Sequence, residues 1–150
     1  MSSRAPDTPA RQLPENLGVL LREPFLAASE QLHEHFAAHG HADVRPPHGN
    51  VFQFLDDDGT RVSVLAERAH VTKQSMAELV VHLERHGYVE RAPDPADRRA
   101  KLVRATSRGN ELYALAREFV AATEAEWERK LGKAKFRQLR QLLVELNAAI

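Results

Sequence analysis

The sequence predicts a mainly α fold with a small β-wing, a winged helix-turn-helix flanked by N- and C-terminal dimerisation helices. Three observations predict it. Two apolar-periodic segments between Val62 and His86 are joined by a tight turn. A β-rich segment from Tyr88 to Ala105 is interrupted by Pro, Asp and Arg, in the manner of a hairpin. Long stretches of helical spacing lie before Gly40 and after Thr106.

The two helices of the central unit follow from spacing. Val62, Leu65, Ala66 and Ala69 recur at i, i+3, i+4, i+7, which marks one face of a helix over Val62–Ala69. Ala66 is small enough to let a second helix cross closely. Ala69, His70 and Val71 make the turn, and Thr72 is a fitting N-cap because its hydroxyl accepts from an orphan backbone N–H. The second helix runs Lys73–His86, with Met76, Leu79, Val80 and Leu83 on its inner face and Gly87 as the residue that ends it. Its first turn carries Lys73, Gln74 and Ser75. In a helix-turn-helix these positions reach base edges in the major groove. Gln pairs with adenine, Lys with guanine, and Ser with a base or a phosphate. The same residues also suit an ordinary solvated first turn, and the hairpin that follows is what favours binding.

The hairpin is expected from strands Tyr88–Arg91 and Lys101–Ala105, with Ala92–Ala100 as the loop. Pro93 and Pro95 stiffen the loop, and Asp94 and Asp97 favour turns. Arg98 and Arg99 are placed at its tip, with Lys101, Arg104 and Arg108 following. Arginine suits the narrow minor groove, where the potential is most negative. Asp97 is expected to orient one of the two neighbouring arginines by an ion pair. A charged, soluble hairpin tip is the alternative.

The run DPADRRAKLVRATSRG resembles the wing signature of the MarR family of bacterial transcription regulators. The elements of the resemblance are Asp97, Arg98 and Arg99, then Val103, then Thr106 and Gly109. Leu65-Ala66-Glu67 and Val71-Thr72-Lys73-Gln74 resemble the helix-turn-helix that precedes the wing in that family. Two positions depart from the pattern. His70 stands where the family usually has Gly, which predicts backbone strain in the turn. Ala105 replaces a larger apolar residue, which predicts looser packing at the strand end.

Composition bounds the rest. With 150 residues and 43% hydrophobic content, the chain is one domain-sized unit, or one domain with dimerisation arms. Its formal net charge is zero, but residues 61–110 carry ten basic and six acidic side chains, a local surplus of +4. Attraction to phosphate depends on the local field. There are no cysteines, hence no disulfide and no thiol-based redox switch. No apolar run reaches the length of a membrane span and no signal-peptide core opens the chain, so a cytoplasmic location is expected.

In order along the chain, residues 1–13 are expected to be a flexible tail, 14–45 a dimerisation helix, 46–109 the DNA-binding lobe and 110–150 the remaining dimerisation helices. Glu15–His39 has Leu17, Leu21, Phe25, Leu32 and Phe36 near one stripe, with Pro24 expected to kink it or mark a restart. His33, His35, His39, His41 and His48 cluster in sequence. Imidazole suits zinc, copper or nickel, but His33 and His35 point to different faces of a helix. No metal or other cofactor is assigned. Pro46–Leu55 reads as one short helix, and Asp56-Asp57-Asp58-Gly59 as an acidic turn without the alternating ligands of a calcium loop. Thr106 caps a helix from Ser107 to Leu131. Lys133–Ile150 repeats Phe136, Leu139, Leu143, Leu146 and Ile150 as a narrow heptad seam. That seam is read as a contact with a second subunit, with packing inside the chain as the alternative.

The function expected is a sequence-specific DNA-binding regulator of repressor type. It acts as a homodimer on a palindromic operator, with half-sites about one helical turn apart. The resemblance implies release by a small aromatic or anionic ligand, held between the dimerisation helices and the DNA-binding lobe. Phe25, Phe36, Phe52 and Phe119 are the candidate apolar lining, with His33, His39 and Arg45 as polar contacts. Double-stranded DNA, a second copy and the small effector are the expected partners, and no membrane. The alternative is a metal-responsive regulator built on the histidine cluster. No nucleophile–base pair or Gly-rich phosphate loop is present, so no enzymatic activity is expected. A winged helix used only for protein contacts has no need of the paired arginines.

Overall fold

The computed structural model describes residues 16–150. The tail expected over residues 1–13 lies outside the described residues. Helix α1 spans Leu17–Ala38, begun by the Asn16 side chain, which accepts from the Val19 N–H at 3.2 Å. It continues through Pro24 without a restart. Phe36, near its end, is buried, whereas Leu17 and Phe25 are 61% and 69% exposed. One face of α1 therefore reaches the core only at its C-terminal end.

The helix expected over Pro46–Leu55 is two pieces, a 3-10 turn at Pro46–His48 and helix α2 at Gly49–Phe54. The two prolines open the turn, where their missing N–H groups cost nothing. Val51 and Phe52 then enter the core.

Helices α3, Val62–Arg68, and α4, Lys73–Arg85, form the helix-turn-helix. Leu65 and Ala66 of α3 are buried with Met76, Val80 and Leu83 of α4, so the predicted inner faces meet. The turn closes through the Val71 N–H to the Ala66 carbonyl at 3.0 Å. His70 sits there at φ +52°, the left-handed region where a side chain costs energy. Thr72 caps α4 by accepting from the Ser75 N–H at 3.1 Å.

Strands β1, Val89–Asp94, and β2, Asp97–Ala105, pair antiparallel. The expected loop Ala92–Ala100 is mostly strand: Pro93 pairs with Lys101 and Asp94 with Asp97, across a bulge. A two-stranded ribbon has only edges, so a proline that cannot donate is tolerated. Arg98 and Arg99 consequently lie along β2, and Pro95 and Ala96 make the tip. Thr60 adds an isolated bridge to Val103, tying the turn before α3 to the wing.

Helix α5, Ser107–Leu131, leads through Gly132 at φ +84° into helix α6, Lys133–Ala148. Gly109 is buried against the wing, and a Cβ there would come within 2.2 Å of the Tyr88 carbonyl oxygen. Helix α6 contains no buried residue, and Leu139 and Leu146 of its seam are exposed. No helix among the described residues is long and apolar enough to cross a membrane.

Candidate nucleic-acid interface and effector cavity

Lys73, Gln74 and Ser75 form the exposed first turn of α4. Thr72 fixes this turn twice, through the backbone cap and by donating its hydroxyl to the Ser75 Oγ at 2.8 Å. Gln74 approaches Glu78 at 3.4 Å, and Lys73 has no ion pair among the described residues.

The wing is locked to this unit by arginine chemistry. Arg61, the residue before α3, donates from Nε to Asp94 Oδ2 at 2.7 Å, with Nη2 at 2.5 Å from the same oxygen. Asp94 also accepts from the Ala96 N–H at 2.8 Å, which shapes the tip. That backbone bond and the Arg61 guanidinium hold its carboxyl below the usual carboxylate range. Asp97, expected to orient Arg98 or Arg99, instead lies 3.6 Å from Arg61 Nη2 and accepts the Arg99 backbone N–H. Adjacent strand residues alternate faces, so Asp97 is turned away from Arg98.

Several basic side chains around the wing and the helix-turn-helix fall into two groups. Arg68 is paired with Asp56, Arg91 with Glu84, and Arg61 with Asp94. Arg98, Arg99 and Lys101 are exposed and make no ion pair among the described residues. The Asp56 carboxyl is held low by the Arg68 hydrogen bond and then by Thr60, which makes this pairing part of the scaffold.

A cavity of 520 Å³ opens between α1, the segment from Val44 to Gln53, and α5. Phe25, His33, Phe36, Phe52 and Phe119 all line it. His39 and Arg45, also expected there, stand outside. His39 is exposed and bonds the His35 carbonyl through Nδ1, and Arg45 is exposed in the loop before Pro46. The sequence reading missed Tyr113 and Trp127, which line the cavity from α5. The apolar stripe of α5 runs past both and was the available signal. The Tyr113 hydroxyl donates to the Phe52 carbonyl, and burial pushes its pKa up to about 12, so it stays neutral. No lysine or arginine lines the cavity, and its one acid, Glu124, is held by Arg140 of α6 at 2.6 Å.

The sequence cluster of histidines does not assemble. His33 bonds the Ser29 carbonyl, His41 the Tyr88 hydroxyl, and His48 the Arg45 N–H. Among the described residues no group of three or more His, Cys, Asp or Glu is placed to hold a metal ion.

A model of the MarR family matches residues 42–100, which span the helix-turn-helix and most of the wing. The transcriptional regulator HosA of Escherichia coli O111:H- is 33% identical over 73 residues. Over this helix-turn-helix and wing segment the chain is similar to the MarR family. The HosA match covers 49% of this chain and 54% of HosA, so the chain spans about half the length of that curated relative. Among solved structures, transcriptional regulator Tm0710 from Thermotoga maritima is 27% identical, with TM-score 0.60, over 88% of this chain and 92% of that one. The S. aureus MepR–DNA complex is 17% identical with TM-score 0.72, over 91% and 99%. That likeness shows that the shared fold extends beyond the winged helix into the flanking helices.

Proposed function

We propose that this chain is a MarR family regulator, a homodimeric, sequence-specific DNA-binding repressor released by a small aromatic ligand. The observation that carries the reading is the division of the cations. Scaffold arginines are spent on carboxylates, while Lys73 on α4 and Arg98, Arg99 and Lys101 on the wing remain available to phosphates and bases. Helix α4 would read bases with Lys73, Gln74 and Ser75, and β2 would grip backbone and minor groove.

The second copy is supported by the uncovered apolar faces. Leu17, Leu20, Leu21 and Phe25 on α1, and Leu139, Leu142 and Leu146 on α6, are exposed. Burying such surface at about 25 cal/mol per Å² favours association. Two copies would present two α4 helices to a palindrome. The ligand reading rests on the cavity, whose aromatic lining without a cation favours an uncharged aromatic ring over an anion. Ligand binding would then shift the spacing of the two lobes by stabilising one of two arrangements.

The test is selection of duplexes from a random library at fixed salt, followed by anisotropy titration and mass measurement of the complex. One dimer on a palindromic site, resisting excess competitor DNA, is the expected result. Binding that is weak, salt-sensitive and indifferent to sequence overturns the reading. Trp127 is the only tryptophan and lines the cavity, so its fluorescence reports occupancy during titration with phenols and benzoates.

A further inference from the structure

Helix α4 is joined to the segment that follows α1 by three imidazole rings in a row. His48, in the 3-10 turn, stacks on His82 with centroids 4.3 Å apart and planes at 14°. His82 in turn lies 4.3 Å from His86, with planes at 30°. Both of the latter rings belong to the end of α4 that leads into the wing.

The hydrogen bonds fix where the protons sit. His48 Nδ1 accepts the Arg45 N–H at 2.9 Å, so that nitrogen carries no hydrogen. His82 Nε2 lies 2.8 Å from the Asp43 carbonyl oxygen, which only accepts, so that nitrogen carries one. His86 Nδ1 likewise donates to the His82 carbonyl at 2.8 Å, and its Nε2 is 3.7 Å from Asp43 Oδ1. A proton added to His48 must therefore go onto the atom that caps the turn.

We propose that this stack is a proton-operated joint between the Pro46–His48 turn and the recognition helix. Uptake of one proton by His48 breaks the Arg45 cap and sets a cation against the His82 ring. Helix α4 is released from the turn, and specific DNA binding falls. The last step rests on the DNA-binding reading above, whereas the joint itself does not.

The surroundings act in the same direction. Burial, then His82, Arg45, His33 and His86, press the His48 pKa down to about 4 from the ordinary 6.5. Arg45 comes from the loop, His33 from α1, and His82 and His86 from α4. The nearby acid is Asp43, shared with His86 and, at 3.9 Å, with Arg108 of α5. Because the folded value lies below the unfolded one, the joint's stability is complete above pH 6.5. It is lost progressively as pH falls toward 4.

The experiment compares the full-length protein with His48→Asn and His86→Gln from pH 7.5 to 3.5. Asn can accept the Arg45 N–H but takes up no proton. Readouts are melting temperature, NMR of the histidine rings and α4 amides, and anisotropy on a selected duplex. The wild type is expected to keep its specific affinity down to about pH 5 and to lose it progressively below, steepening toward tenfold per pH unit, the limit for one linked proton. Its α4 amides should shift together with the His48 ring. H48N should show a shallower melting curve and a flatter affinity curve over the same range, keeping the acid dependence that the buried His41 contributes through its own lowered pKa. Parallel curves for wild type and H48N overturn the proposal. Should H48N fail to fold, His48 titrating near 6.5 with no response in α4 overturns it equally. H86Q, at the exposed end of the stack, should fold normally and move the transition toward higher pH by removing a competing charge. If α4 responds to His48 protonation but no duplex is bound at any pH, the DNA-binding reading fails and the joint stands.

Discussion

Arg61 and Asp94, 33 positions apart in sequence, meet at 2.7 Å and make the wing one body with the helix-turn-helix. Asp94 is the last residue of β1, and Arg61 is the residue from which α3 starts. A hairpin held only by its own ladder would sample many orientations, and DNA binding would have to order it. The clamp does that ordering in advance. Asp94→Asn should therefore leave α3 and α4 folded while amide exchange along β1 and β2 quickens. Specific DNA affinity should drop about fivefold through lost pre-organisation. The depressed Asp94 pKa means that the clamp is present above the ordinary carboxylate range and is lost only as pH falls through the lowered value. Unchanged exchange in the D94N wing would show that the strand ladder alone fixes it.

Thr106 and Gly109 explain each other. The Thr106 hydroxyl donates to the Gly87 carbonyl at 2.6 Å and accepts the Gly109 N–H at 3.2 Å. This pulls the first turn of α5 onto Tyr88 until only hydrogen fits at position 109, since a Cβ would stand 2.2 Å from the Tyr88 carbonyl oxygen. Gly109→Ala is expected to destabilise the fold by about 3 kcal/mol in urea denaturation, because backbone rather than a movable side chain must give way. Thr106→Ala should cost about 1 kcal/mol as a lost N-cap, and Thr106→Ser much less. A G109A protein as stable as the wild type would mean that α5 can slide away from the wing.

The turn between α3 and α4 stores a small strain. His70 at φ +52° makes no side-chain hydrogen bond among the described residues and is exposed. A left-handed side-chain residue costs about 1–2 kcal/mol, and glycine in its place forfeits about 0.5–1 kcal/mol of chain entropy. His70→Gly should therefore raise stability by up to about 1 kcal/mol, seen as a higher urea midpoint with an unchanged slope. A lower midpoint would show that the imidazole makes a stabilising contact in the turn.

What was legible in the sequence and what was not divides by range. The Thr72 and Thr106 caps, the strained position at His70 and the buried faces of α3 and α4 depend on residues within four positions of each other. Propensity and period reveal them. The Arg61–Asp94 clamp and the Thr60–Val103 bridge connect distant segments that carry no local mark of each other. The strands were read too short because Pro93 argues against a ladder locally, whereas a two-stranded ribbon accepts it at an edge. For the cavity, aromatic residues named its walls, with Phe25, Phe36, Phe52 and Phe119 all in place. His39 and Arg45 stand outside it because His39, the C-cap of α1, turns its ring back onto the His35 carbonyl, and Arg45 lies exposed in the loop before Pro46.

On the proposed DNA-binding reading, Arg98 and Arg99 are the wing's contacts with phosphate. Both are exposed and make no ion pair among the described residues, so their charge is open to phosphate. Each phosphate contact removed should lower the slope of log affinity against log salt by about 0.9. Arg98→Ala with Arg99→Ala is expected to weaken binding to every duplex and flatten the salt dependence by up to about 2 per subunit. Gln74→Ala, in contrast, should keep the slope and relax the choice of one base pair, at about 1–3 kcal/mol of discrimination. The two variants thus separate grip from reading. A double arginine variant whose affinity and slope match the wild type would remove the wing from the interface and leave α4 to bind alone.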